Sequence, residues 1–249
     1  MKKVEMRYEE RALKAKNEAA KELLNLMSRK ETNLCFLNTE RDSEKFIEFT
    51  DELGDEFALL MTKTEMLKGF SKKIVNEIKR LSRKHNFMIF ENSEFNSLDE
   101  IKRKYFNIIE WSDFVSTYPI EIKEKNIFKR EKGLILIANE NSKKKKIFEL
   151  ARKLSEFISG FLLSGKNPKE IKKFVEMTAE GEIVLTQRLR ISKGKIKTGE
   201  VYGSVEEAIL AGADMPVIGR GIRNVAYSLS AARVYRALAW QKYLKRTKK

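Results

Sequence analysis

Residues 134–138 read Leu134-Ile135-Leu136-Ile137-Ala138, an apolar run without a polar break. A strand with one face in water alternates polar and apolar residues. A continuous run is what a parallel strand shows when helices cover both faces of its sheet. Toward the C-terminus, 144–156 reads as a helix, 157–163 as a second apolar stretch and 168–177 as a helix. Residues 182–185 and 217–218 follow as short strands, and 228–245 as a final helix. Ser204, with Glu207 three residues on, forms a capping box that starts a helix over Val205–Leu210. Toward the N-terminus, 114–116, 87–90, 57–61 and 34–37 are short apolar runs. Helical periodicity separates them: around 98–110, over 70–84 through Ile74, Ile78 and Leu81, and over 43–53 through Phe46, Ile47, Phe49 and Leu53. Residues 9–29 read as one amphipathic helix with Leu13, Ala20, Leu23, Leu24 and Met27 on its stripe.

About eight strands therefore alternate with helices, which implies a parallel α/β sheet. Periodicity alone does not separate a closed barrel from an open, doubly wound sheet. The chain has 249 residues, a length typical of one (β/α)8 barrel, roughly 250 residues. Nothing repeats, and no Pro- or Gly-rich linker interrupts it. We expect one domain over 1–249, with an N-terminal helical segment 1–30 and a basic tail 245–249. Residues 119–132 are charged and poorly periodic, so the fourth connecting helix is expected to be shortened or lost.

Net charge is +15 and charged residues make up 35% of the chain. Such an excess suits nucleic acid, anionic lipid or acidic protein. The lysines are spread along the chain, with local runs at 143–146 and in the tail, and no nucleic-acid motif accompanies them. A solvated basic surface is the preferred reading, and nucleic-acid binding is not favoured. No run of about 18 apolar residues is present, so no membrane span is expected. The first residues lack the apolar core of a secretion signal. Cys35 is the only cysteine; it reads as a buried thiol in a reducing compartment, which points to the cytoplasm. His85, the only histidine, ends a predicted helix and reads as structural. No His/Cys/Asp spacing suggests a metal, and no cofactor is expected.

Several stretches together carry a resemblance. They are Thr32-Asn33-Leu34-Cys35, Lys84-His85-Asn86-Phe87-Met88-Ile89-Phe90-Glu91, Glu110-Trp111-Ser112-Asp113, Ile218-Gly219-Arg220-Gly221-Ile222 and Ala239-Trp240-Gln241-Lys242-Tyr243-Leu244. In this order and spacing the chain resembles the orotidine 5'-monophosphate decarboxylases, especially those of eukaryotes. The resemblance implies a TIM barrel with its site at the C-terminal ends of the strands. It also implies cofactor-free decarboxylation to uridine monophosphate and a homodimer. The family's chemistry rests on a lysine ending the second strand and an Asp-x-Lys-x-x-Asp motif ending the third. Carboxylates crowd the departing carboxylate, an ammonium protonates the carbon left behind, and the charges must be preorganised.

The chain departs from that pattern position by position. The first-strand aspartate falls on Thr39 and the second-strand lysine on Met61. The motif falls on Asn92, Glu94 and Ser97. Lys63 lies two residues beyond Met61 and so on the same strand face, and Glu91 and Glu94 form a candidate carboxylate pair. At the phosphate end, Tyr202, Gly219, Arg220 and Gly221 match the family, while its glutamine position is Glu200. Glycines let backbone N–H groups approach a phosphate, and arginine binds it bidentately. Equally, Gly219 and Gly221 can serve the turn itself, with Arg220 paired to Glu200.

From the residues alone the leading expectation is a chain that is not an enzyme. It would be a decarboxylase-like barrel with a structural or protein-interaction role, with a protein partner or a second copy. A captured host enzyme in a large DNA virus, which would imply virion association, and a diverged copy in an AT-rich parasite both fit the composition. The alternatives are a residual nucleotide- or phosphate-binding module and an active decarboxylase of pyrimidine synthesis with a rebuilt site.

Overall fold

The structure, a computed structural model, describes residues 2–122, 124–138, 144–195 and 200–248. Parallel strands close on themselves in the order of the chain. They are β1 (Cys35–Leu37), β2 (Leu59–Thr62), β3 (Met88–Phe95), β4 (Phe114–Thr117), β5 (Gly133–Ala138), β6 (Ile158–Ser164) and β7 (Ile183–Gln187). A small sheet then intervenes: β8 (Leu189–Arg190), β9 (Gly194–Lys195) and β10 (Val201–Ser204). The barrel strand β11 (Met215–Ile218) completes the ring by pairing with both β7 and β1, Cys35 opposite Val217. That last pairing separates a TIM barrel from an open sheet, and it bears out the expected fold. The run that frames the sheet, β5, is buried along its whole length.

The helices cover the outside of the barrel. After α1 (Tyr8–Ala12) and α2 (Glu18–Lys30) come α3 (Ser43–Leu53), α4 (Lys72–His85), α5 (Leu98–Ile109) and α6 (Lys144–Lys153). Next are α7 (Pro168–Val175), α8 (Val205–Leu210), a single turn α9 (Arg220–Arg223), and α10 (Ser228–Thr247). Between β4 and β5 no helix forms among the described residues; buried Ile122 and Phe128 cover that side of the barrel instead. The shortened fourth helix was expected, because 119–132 offers no apolar stripe to bury. The last helix runs on through Thr247, so most of the basic tail is helical. Lys143 and Lys249 lie outside the described residues.

The N-terminal helix is corrected: 9–29 is not one helix but two, α1 and α2. Asn17 ends the join as the N-cap of α2, its Oδ1 accepting from the Ala20 N–H at 3.1 Å. Its Nδ2 donates to the carbonyls of Arg130, Lys132 and Glu156, at 2.9, 3.0 and 3.1 Å. A polar cap satisfied on both sides outweighs the helical periodicity. Leu13, placed on the apolar stripe by spacing, is instead 82% exposed at the break.

The break lets α1 plug the N-terminal end of the barrel. Arg11 is fully buried and forms an ion pair with the equally buried Asp214, just before β11. Its Nε and Nη2 also donate to the carbonyls of Glu180 and Glu182, each at 2.8 Å. Asp214 accepts from the Val184 N–H at 2.8 Å and faces Arg246 of α10 at 3.6 Å. The Asp214 carbonyl accepts from Tyr8 Oη and Asn33 Nδ2, each at 2.9 Å. One carboxylate thus ties the N-terminal segment, β7, β11 and the last helix together.

Strand β6 needs a glycine at 160. A Cβ there would lie 1.9 Å from the Ile183 carbonyl oxygen of β7. The obstacle is backbone, which cannot swing aside as a side chain can. Gly160→Ala is expected to destabilise the protein by about 1–3 kcal/mol, read as a lower urea midpoint with an unchanged slope.

Candidate functional site at the mouth of the barrel

The C-terminal strand ends form two groups of polar side chains, one on β2–β4 and one around β7, β10 and α9. The first is built on β3, which runs beyond the expected 87–90 and carries Glu91, Asn92 and Glu94. Thr62 of β2 and Thr64 just after it hold Glu91. The hydroxyl of Thr62 donates to Oε2, and the N–H and hydroxyl of Thr64 each donate to Oε1 at 3.0 Å. Burial pushes its carboxyl upward in pKa, against these hydrogen bonds. Glu91 therefore joins the loops of two strands and is not paired with Glu94.

Glu94 faces Lys63 instead, Nζ to Oε2 at 3.1 Å. Its other oxygen accepts from Asn92 Nδ2 at 2.9 Å. Asn92 Oδ1 accepts from Ser116 Oγ of β4 at 2.8 Å, and Ser116 Oγ accepts from the Glu94 N–H at 2.8 Å. Lys63 also reaches Glu65 at 3.3 Å. Burial draws the Lys63 ammonium down, but the two carboxylates outweigh it and hold its pKa above the usual range. Glu94 sits at φ 50°, a left-handed conformation that an ordinary residue holds at a cost of about 1–3 kcal/mol. Of the other described non-glycine residues at positive φ, Glu31 and Asn86 are helix C-caps, whereas Arg188, between β7 and β8, stands at φ 61°. Strain unexplained by capping thus falls at the barrel mouth.

The remaining family positions divide. Met61 is buried in β2, 1% exposed. Ser97 caps α5, its Oγ accepting from the Glu100 N–H at 3.2 Å. Thr39, Tyr202, Gly219, Arg220 and Gly221 meet along one cleft of about 560 Å³, which also reaches Met66 in the loop after Lys63. In that cleft Arg220 Nη2 pairs with Glu200 Oε2 at 2.7 Å, and Tyr202 Oη donates to the same oxygen at 3.0 Å. The Tyr202 hydroxyl and then Arg220 hold the Glu200 carboxyl below its ordinary pKa. Gly221 packs against Tyr235: a Cβ would sit 2.5 Å from its hydroxyl.

Sequence reading missed the other arginines of the cleft, Arg41, Arg188, Arg190 and Arg223. Arg190 lies over the Tyr202 ring at 4.8 Å, and Arg223 pairs with Glu40 at 3.1 Å. The available signal was the spacing of Arg188 and Arg190 directly after the apolar β7. Away from the mouth, His85 sits between Asp51 and Asp55, with its ring nitrogens 2.6 and 2.8 Å from them. Cys35 is buried, which pushes its thiol up in pKa. Among the described residues, no group of three or more His, Cys, Asp or Glu is placed to hold a metal, and no helix is long and apolar enough to cross a membrane.

No protein-family profile matches the chain. It is 29% identical to the uridine 5'-monophosphate synthase of Naegleria gruberi, over 98% of this chain and 53% of that protein. It is 30% identical to the synthase of Bos taurus, over 91% of this chain and 50% of that protein. The chain thus spans about half the length of these relatives. With the orotidine 5'-phosphate decarboxylase of Aspergillus oryzae it shares 28% identity over 98% of each chain. Among solved structures it is similar to orotidine 5'-phosphate decarboxylase from Pyrococcus horikoshii (TM-score 0.66, 16% identity, 85% of this chain and 99% of that one). The decarboxylase of Leishmania donovani gives TM-score 0.65 at 11% identity, over 89% of this chain and 99% of that one. These structures support the fold.

The expectation of a chain that is not an enzyme is thereby corrected. Its relatives over nearly its full length are named as decarboxylases and synthases. Substitution at Met61, Asn92 and Glu94 does not by itself remove a chain from such company, because the same strand ends carry a new ammonium–carboxylate pair. Closed barrel, ordered motifs and similarity along almost the whole chain agree: the chain is a diverged homologue of the orotidine 5'-monophosphate decarboxylases.

Proposed function

We propose that the chain binds a pyrimidine ribonucleotide 5'-phosphate at the barrel mouth and acts on it as a decarboxylase-type lyase through a rebuilt charge pair, Lys63 and Glu94. The observation that carries this reading is that pair itself. It stands on strained backbone at the end of the barrel where TIM-barrel enzymes place their chemistry. Its bonds to Asn92 and Ser116 hold it before any substrate arrives. Such preorganisation is what electrostatic catalysis requires.

In the proposed step the bond from the pyrimidine carbon to its carboxylate breaks and carbon dioxide leaves. The electron pair stays on the carbon, which takes a proton from the Lys63 ammonium; water later restores that proton. Glu94 keeps the ammonium charged and aimed. Met61 is apolar where the family has its lysine, so proton delivery comes from two residues further on, just past the end of β2. The family's second carboxylate has no counterpart here, so we expect a rate below that of an intact array.

At the phosphate end Arg220 must exchange Glu200 for the ligand. Both side chains are about half exposed, at 51% and 42%. An exposed pair of this kind is weakly held, so a dianionic phosphate can displace it. Glu200→Gln is expected to tighten uridine monophosphate binding about twofold to fivefold, measured by calorimetry.

Complementation of a decarboxylase-deficient uracil auxotroph tests the proposal. Growth with the native chain and none with Lys63→Met is the expected result. Absence of growth despite soluble expression of the native chain counts against it.

A further inference from the structure

Two cavities meet at Arg190 and Arg220. The cleft of about 560 Å³ and a neighbouring one of about 480 Å³ share Arg190, Arg220 and Gly221 in their walls. The second extends past Ser192, Asn224 and Tyr235. A ligand whose phosphate rests on Arg220 therefore has room to continue outward.

The charge of the cleft exceeds what one phosphate needs. Arg41, Arg188, Arg190, Arg220 and Arg223 line it, against the single carboxylate of Glu200. Glu200 takes Arg220, and Glu40 takes Arg223. Among the described residues no ion pair occupies Arg41, Arg188 or Arg190, and the buried Nε of Arg223 has no hydrogen-bond partner. Arg188 is held at φ 61°, a conformation that lacks a capping explanation. A phosphate monoester carries about −1.5 to −2 charge, and one bidentate arginine with a tyrosine hydroxyl already serves it.

We propose that the cleft takes a nucleoside 5'-diphosphate, with the inner phosphate on Arg220 and Tyr202 and the outer one between Arg190 and Arg220, reaching toward Ser192 and Asn224. This rests on the reading that a nucleotide 5'-phosphate binds at Arg220. Arg190 has a position suited to both cavities, since it lines each of them with its guanidinium carbon 4.8 Å from the centre of the Tyr202 ring. The diphosphate would compete with any monophosphate for the same inner position.

Calorimetry with uridine monophosphate and uridine diphosphate separates the possibilities. The diphosphate is expected to bind about tenfold more tightly or better, as one further charge-assisted hydrogen-bonded group allows. Arg190→Ala is expected to narrow that ratio. Asn224→Asp, which adds a carboxylate only to the outer cavity, is expected to weaken the diphosphate while leaving the monophosphate unchanged; thermal melts confirm that both variants fold. If the monophosphate binds and the diphosphate binds no more tightly, the second phosphate site is wrong and the nucleotide reading stands. If neither binds, the nucleotide reading fails and this inference fails with it.

Discussion

Asp214→Asn should destabilise the protein by about 3–5 kcal/mol, the loss typical of a buried ion pair stripped of one partner. Arg11 and Asp214 are both fully buried, and Lys3 and Arg246 are close enough to sense the same carboxylate. With the carboxylate neutral, the guanidinium groups of Arg11 and Arg246 lose their shared counter-charge beside Lys3 at the closed end of the barrel. Burial already draws the Lys3 ammonium down to about 7, with Arg11 adding to the effect and Asp214 opposing it. Asparagine keeps the shape and one acceptor for the Val184 N–H, so the loss reports charge and not packing. The double variant Arg11→Met, Asp214→Asn should lose less than the two single losses added together, because the orphaned guanidinium is gone. Urea unfolding of the four proteins gives the coupling.

The same residue sets an acid limit. Burial alone would raise the Asp214 carboxyl; the adjacent Arg11 overrides it and holds the group at about 2, against an ordinary 3.8. A carboxyl lowered on folding contributes stability that is complete above its unfolded value. The contribution is lost as pH falls from about 3.8 to about 2. The shift corresponds to roughly 2 kcal/mol. A plot of stability against pH for Asp214→Asn should lack that part of the acid slope.

Lys63→Met should lower turnover by about 10²–10⁴-fold, the span of a positioned general acid. KM should change little, because the phosphate contacts lie on β10 and α9. Stability should also change little, since Lys63 is on the surface of the mouth and leaves no buried cavity. Glu94→Gln should lower turnover less and shift the basic limb of the pH–rate profile down, as the ammonium loses the carboxylate that raises it. A Lys63 that served only to support the loop would instead move KM and the melting temperature and leave the pH profile in place. Arg220→Ala should show the opposite pattern to Lys63→Met, a raised KM with a smaller change in kcat.

The barrel was legible in the sequence because its signal is redundant. Continuous apolar runs such as β5, helical stripes such as Ile74, Ile78 and Leu81 in α4, and the Ser204 cap each point to the same alternation. The split of the N-terminal helix was not legible. It depends on Asn17 finding three carbonyls from β4–β6 connections more than a hundred residues away, and no local pattern encodes that. At the site, sequence spacing placed Lys63 on the face of Met61 but could not show its partner. Glu94 reaches it because the backbone turns left-handed there and Ser116 holds the turn. Glu91 and Glu94 lie close in sequence and look like a pair, yet Thr62 of β2 and Thr64 just after it claim one and Lys63 the other. The arginines of the cleft come from loops after β1, β7 and β11, so only the closed ring brings them together.

The most direct measurement follows purified protein with orotidine 5'-monophosphate and records carbon dioxide released and uridine monophosphate formed. The account predicts equal amounts of both, sustained over many turnovers by the native chain and lost in Lys63→Met. No release by the native chain, under conditions where it demonstrably binds the nucleotide, would contradict it.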